Sequence, residues 1–173
     1  MRYRRVIVPG DTLFFTLVTD CRRPILASDE AVDALRNAFR SVSQSRPFEI
    51  EAIVVMPDHL HCIWTLPPDD ADLSTRWRLI NTWFSKHCPA PLRRTLDAAR
   101  LKKGEQAIWE HQICDETDFA RYADYIHYNP VKHGLARSSL DWPYSSFGRY
   151  VQARVYALDW GSNSICFEGI GHE

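Results

Sequence analysis

Two apolar, β-branched runs, Phe48–Met56 and His59–Leu66, are separated only by Pro57-Asp58. So short a break leaves an antiparallel hairpin as the way to pair the two runs, although Pro-Asp is not a favoured hairpin dipeptide. The hairpin fixes the middle of the chain, and the flanking patterns arrange themselves around it. Upstream, Thr12–Thr19 is rich in β-branched and aromatic residues and predicts a first strand. Ser28 is placed to cap a helix, with Asp29 and Glu30 at its positive end. Val32, Leu35, Phe39 and Val42 give that helix one apolar stripe. Downstream, Leu73, Trp77, Ile80 and Phe84 predict a second amphipathic helix, ended by Cys88-Pro89-Ala90-Pro91. Ile108–Cys114 predicts a fourth strand, and Asp115 starts a third helix in a near-capping-box pattern with Asp118. That helix runs through Phe119, Tyr122 and Tyr125 to Asn129-Pro130, with Gly134 as terminator of any turn beyond. A short helix over 145–151 precedes an irregular tail. The order β-α-β-β-α-β plus a helix predicts an α+β fold: a ferredoxin-like split β-α-β antiparallel sheet, helices on one face and a further C-terminal helix.

Composition narrows the class. At 45% apolar and 25% charged, the 173 residues suit one globular domain and exclude disorder or a collagen repeat. The five cysteines form no Cys-x-x-Cys pair, and no apolar run approaches the roughly 20 residues of a membrane span. The expectation is a cytoplasmic protein with reduced thiols and no membrane partner. The net charge of −1 hides a segregation: Arg76, Arg78, Lys86, Arg93, Arg94, Arg100, Lys102 and Lys103 face one acid, Asp97. From Glu105 to Asp124, six acids then face Arg121 alone. Such asymmetry fits a nucleic-acid face and, equally, solvated helix surfaces.

Two groups of residues carry chemistry. On a strand, His59 and His61 project to the same side with Cβ atoms about 6.5–7 Å apart, a pair suited to a divalent metal. Leu60 then faces the other way, into the core. By itself His-x-His is also the pattern of two structural histidines. On the third helix Tyr125 and Asn129 lie one turn apart on one face, a phenol and an amide able to serve as nucleophile and metal ligand for phosphodiester chemistry. An aromatic face packed on the sheet accounts for the same residues, and spacing does not choose Tyr125 over Tyr128.

Met56-Pro57-Asp58-His59-Leu60-His61-Cys62-Ile63-Trp64, Tyr125-Ile126-His127-Tyr128-Asn129-Pro130-Val131-Lys132-His133-Gly134 and Asp141-Trp142-Pro143-Tyr144-Ser145-Ser146-Phe147 resemble, in that order, the REP-associated tyrosine transposases, bacterial members of the HUH (His-hydrophobic-His) nuclease superfamily. The resemblance runs from Tyr3 to Trp160. It implies a transposase domain over residues 1–152 and a tail over 153–173. It also implies Mg²⁺ or Mn²⁺ held by His59, His61 and Asn129, although imidazoles and an amide suit Zn²⁺ or Ni²⁺ as well. Tyr125 matches the nucleophile, which attacks single-stranded DNA to leave a 5′-phosphotyrosine and a free 3′-OH. The implied substrate is the hairpin of short palindromic repeats, cut and rejoined by a nucleoid-associated monomer or homodimer. Arg4, Arg5, Arg22, Arg23, Arg76, Arg78, Lys86, Lys132 and His133 are the expected DNA contacts, and Asp58 is a candidate orienter of His59. Relatives carry an Arg-rich aromatic stretch before the equivalent of Trp109-Glu110-His111. This chain has Gly104-Glu105-Gln106-Ala107-Ile108 there, so DNA contacts are expected to shift toward Arg100, Lys102 and Lys103. The alternatives are a hairpin-binding regulator that does not cleave and a metallohydrolase of small phosphoesters.

Overall fold

A computed structural model describes residues 7–92, 108–167 and 170. Arg4 and Arg5, and the basic residues Arg93, Arg94, Arg100, Lys102 and Lys103, lie outside the described residues.

Strands β1 (Thr12–Val18), β2 (Glu49–Val55), β3 (His59–Thr65) and β4 (Ile108–Gln112) form one sheet in the order β2-β3-β1-β4, every neighbouring pair antiparallel. This is the split β-α-β arrangement, with β3 inserted between β1 and β2. Met56 N–H donates to the His59 carbonyl at 2.8 Å, so pairing runs right up to Pro57-Asp58. The unusual turn is held from outside: Leu26 N–H donates to the Pro57 carbonyl, and Thr19 donates to the Asp58 carbonyl from both backbone and hydroxyl.

Helix α1 (Asp29–Ser45) begins where expected, with the Ser28 hydroxyl accepting from Ala31 N–H. Helix α2 (Leu73–His87) is capped by Asp72. Their apolar stripes bury Val32, Leu35, Phe39, Val42, Trp77 and Ile80 against Leu13, Phe15, Leu17, Leu60, Cys62 and Trp64 of the sheet. Trp64 stacks on Trp77 with ring centres 4.3 Å apart, anchoring this core. Helix α3 (Glu116–Lys132) covers the opposite face, where Tyr122, Tyr125 and Ile126 meet Phe14, Ala52, Val54 and Ile63. The two crossover helices thus share one face and α3 takes the other. With both faces covered, β3 is buried from His59 to Trp64.

The third helix passes Pro130 instead of stopping before it. Proline removes a single donor, and in the last turn the helix closes by a different device. Gly134 adopts φ +69°, its N–H donates to the Val131 carbonyl, and Leu135 N–H donates to the Pro130 carbonyl, the pair of bonds of a Schellman cap. The expected terminator is therefore correct while the boundary moves two residues beyond the proline, which places Lys132 on the helix. A short helix α4 (Phe147–Gln152) follows, and Tyr156 and Trp160 of the tail pack on its Phe147.

Candidate active site

Strand alternation carries out the separation expected of His59-Leu60-His61. Leu60 enters the core under α1 and α2, whereas the two imidazoles emerge on the α3 face with ring centres 4.9 Å apart. Each ring is held through Nδ1. His59 Nδ1 bonds Asp58 Oδ1 at 2.7 Å, and His61 Nδ1 shares a 2.8 Å hydrogen bond with the Thr16 hydroxyl. Burial raises the Asp58 carboxyl, but its hydrogen bonds with His59 and Arg22, together with the Arg22 charge, outweigh that and hold it below its ordinary value. A carboxylate at Nδ1 makes that nitrogen the donor and leaves the lone pair of His59 on Nε2.

Helix α3 supplies the remaining groups. Asn129 Oδ1 lies 3.3 Å from His59 Nε2, and Tyr125 sets its ring edge-on to His61 at 5.1 Å. The Lys132 ammonium is 3.5 Å from the Tyr125 hydroxyl, and the His133 ring centre is 5.4 Å from that of His59. Tyr128 is turned elsewhere: its hydroxyl accepts from Ile165 N–H and its ring meets Trp160 and Phe167. Geometry thus separates the two tyrosines that spacing left equivalent. His59, His61, Tyr125 and Asn129 are each at most 2% exposed. Part of the cover comes from the tail, where Phe167 stands edge-on to Tyr125 at 5.7 Å.

The donor set fits a divalent cation on chemical grounds. With Nδ1 of His59 donating to Asp58, its Nε2 and the Asn129 carbonyl oxygen are two acceptors facing each other. Such a pair calls for a proton or a cation between them. Ligand bonds of about 2.0–2.1 Å put neighbouring donor atoms roughly 3 Å or slightly more apart, close to the spacing seen. Among the described residues no cluster of three or more His, Cys, Asp or Glu stands ready for a metal. The set is instead two imidazoles and an amide, ligands that would add no negative charge to a divalent cation held there.

The other expected contacts divide. Arg22 is exposed and pairs with Asp58 at 3.3 Å, beside the site, and Arg23 is half-buried next to it. Arg78 and Lys86 are exposed on α2, across the sheet from the imidazoles. Arg76 is a correction. It is fully buried, donating to the carbonyls of Asp72 and Pro47 and pairing with Asp70 at 2.7 Å, which holds the Asp70 carboxyl down to about 2. Its place in the chain, three residues after Leu73 and four before Ile80, puts it on the inward stripe of α2. A guanidinium so occupied clamps the start of α2 to the end of α1 and has no face left for DNA.

Sequence reasoning missed Thr16, whose role depends on the β1–β3 register that sets it opposite His61. It also missed a partly buried chain of hydrogen bonds that starts at His127 of α3. His127 Nε2 bonds the Ser146 hydroxyl at 2.8 Å and Nδ1 the Tyr156 hydroxyl at 3.3 Å, and Tyr156 donates to Asp124 at 2.6 Å. Burial, with the charge of Arg149 added, pushes His127 down to about 3. Burial, and then Asp124, push the Tyr156 phenol well above its ordinary value. This network joins α3 to the tail and, through Ser146, to Ile53 of β2.

Comparison with known proteins places this geometry in a family. Residues 12–128 match the family described as Transposase IS200 like. The chain is 41% identical over 166 residues to the REP-associated tyrosine transposase of Escherichia coli K12, covering 95% of this chain and 93% of that one. Its fold is similar to a solved REP-associated tyrosine transposase bound to a REP hairpin, with a TM-score of 0.79 and 38% identity over 100% of this chain and 98% of the other. No helix among the described residues is long and apolar enough to cross a membrane. A match of this extent, on a ferredoxin-like sheet that sets paired histidines beside a helical tyrosine, shows that the chain belongs to the IS200-like transposases, and among them to the REP-associated tyrosine transposases.

Proposed function

We propose that this protein nicks and rejoins single-stranded DNA beside the hairpins of palindromic repeats, through a covalent 5′-phosphotyrosine at Tyr125. The observation that carries the reading is the convergence of the Tyr125 ring, 5.1 Å from His61, with His59 and Asn129 in mutual contact. The phenol oxygen attacks the scissile phosphorus, its bond to phosphorus forms as the P–O3′ bond breaks, and the 3′ oxygen leaves as a hydroxyl. Joining reverses the same steps with a 3′-OH as nucleophile, so no external energy source is needed. His59, His61 and Asn129 would hold Mg²⁺ or Mn²⁺, which when bound draws charge from the phosphate oxygens and aligns them. Asp58 fixes the tautomer of His59, and Thr16 holds the His61 ring in place. Arg22, Arg23, Lys132 and His133 border the DNA near the site, and Arg78 and Lys86 serve more distant phosphates, adding affinity with little sequence choice. Unpaired bases beside the stem supply the specificity, because their Watson–Crick edges and faces are free to be read. Because Tyr125 is 1% exposed, DNA reaches the phenol only once the packing around it, which includes Phe167, opens.

The test is incubation of the protein with a 3′-labelled single-stranded hairpin and Mg²⁺ or Mn²⁺, followed by a denaturing gel. The expected result is a labelled covalent adduct that is absent with chelator and absent in Tyr125→Phe. Tight hairpin binding with no adduct under either metal would favour a non-cleaving regulator. Hydrolysis of small phosphodiesters that survives Tyr125→Phe would favour a metallohydrolase.

A further inference from the structure

We infer that Lys132 is a catalytic residue that serves the oxygen of Tyr125, in addition to any contact it makes with the DNA backbone; the inference rests on Tyr125 being the nucleophile. Tyr125, Asn129 and Lys132 are spaced i, i+4 and i+7 on α3, so all three occupy one helical face. The ammonium stands 3.5 Å from the phenol oxygen and 4.9 Å from the centre of its ring. It therefore approaches the tyrosine from the side of its oxygen and engages the oxygen's lone pairs. That position exists only because α3 runs two residues past Pro130 and closes at Gly134. Had the helix ended before the proline, residue 132 would have left this face.

The chemistry asks for a cation there in both directions. In cleavage the phenol gives its proton to water as the Tyr O–P bond forms, and the departing 3′ oxygen takes a proton from water as P–O3′ breaks. In joining, O3′–P forms and the Tyr O–P bond breaks, so the phenol oxygen carries the leaving electron pair until a water proton reaches it. An ammonium already aimed at that oxygen stabilises this charge without reorganising at the moment of reaction. The imidazoles and the Asn129 amide are neutral and offer lone pairs to a metal, so Lys132 is the protein cation closest to the nucleophilic atom among the contacts described.

A backbone phosphate contact, or a charge that favours the C-terminal end of a helix, would explain a lysine at this position without any catalytic part. The experiment separates these by measuring, at saturating labelled hairpin with Mn²⁺, the single-turnover rate of adduct formation and the rate at which added 3′-OH DNA releases the adduct. Lys132→Gln is expected to slow both rates about 10- to 100-fold at saturating hairpin, whatever affinity is lost with its backbone contact. Lys132→Arg, which keeps the cation, is expected to retain most of both rates. Wild-type rates in Lys132→Gln, with a weakened Kd and a salt slope reduced by about one, would overturn the inference and leave a phosphate contact. Equal losses in the Gln and Arg variants would overturn it too, since packing and not charge would then be at work. Absence of an adduct in the wild type would defeat the nucleophile assignment itself, and with it this inference.

Discussion

The two faces of β3 obey different rules. On one, Leu60, Cys62 and Trp64 enter an aromatic core with Phe15, Phe39 and Trp77. On the other, His59 and His61 meet a phenol, an amide and an ammonium from α3. Both faces are buried, so the difference is not exposure but whether each buried group needs a partner. Apolar groups stabilise by area and shape, with no directional requirement. Buried imidazoles need specific partners, and Asp58 and Thr16 supply them at the two Nδ1 atoms. A strand with a period of two lets stability and chemistry be built one residue apart without sharing contacts.

That separation can be broken from either side. Trp64→Ala opens a cavity where Trp64 stacks on Trp77 and should cost about 3–5 kcal/mol in chemical denaturation. The folded fraction should still form the adduct at the wild-type rate. On the other face, Asp58→Ala frees the His59 ring and should weaken Mn²⁺ binding about 10- to 100-fold by titration calorimetry. Its stability without metal should fall by a smaller amount, about 1–3 kcal/mol, because the buried Nδ1–H of His59 loses its acceptor. Acid provides a gentler test of the polar face. The folded pKa of His127 is depressed from 6.5 to about 3, so between those values the unfolded chain binds a proton that the folded chain refuses. Stability then rises with pH through this window, and its His127 share is lost as the pH falls. Going from pH 7 to pH 5 should cost about 2 kcal/mol through this residue, seen as a lower unfolding midpoint. His127→Gln, which keeps a hydrogen-bonding group toward Ser146, should flatten that slope whatever its effect at neutral pH.

Much of this arrangement was legible from local pattern. The stripe Val32, Leu35, Phe39, Val42, the Ser28 cap and the alternation at His59-Leu60-His61 each depend on neighbours within a turn or a strand, which is what sequence encodes directly. The ferredoxin-like order followed from counting such elements. What escaped depends on partners distant along the chain. Thr16 reaches His61 across 45 residues and His127 reaches Tyr156 across 29, and neither register nor tail path is written in local spacing. Arg76 was misread for a different reason: its charge suggested the surface, while its helical position on the inward stripe, with Asp70 and two carbonyls to receive it, outweighed that suggestion. The proline boundary was off by a few residues because a Schellman cap at Gly134 absorbs a proline in the final turn.

The most direct test of the whole account is to digest the conjugate of protein and hairpin DNA and map the modified peptide by mass spectrometry. The account predicts a single phosphoryl-nucleotide on the hydroxyl of Tyr125, within the peptide that also carries Asn129 when cleavage between them is prevented. Attachment at Tyr128 or at any other residue would contradict it, because the groups gathered around His59 and His61 would then not be the ones that act on the phosphate.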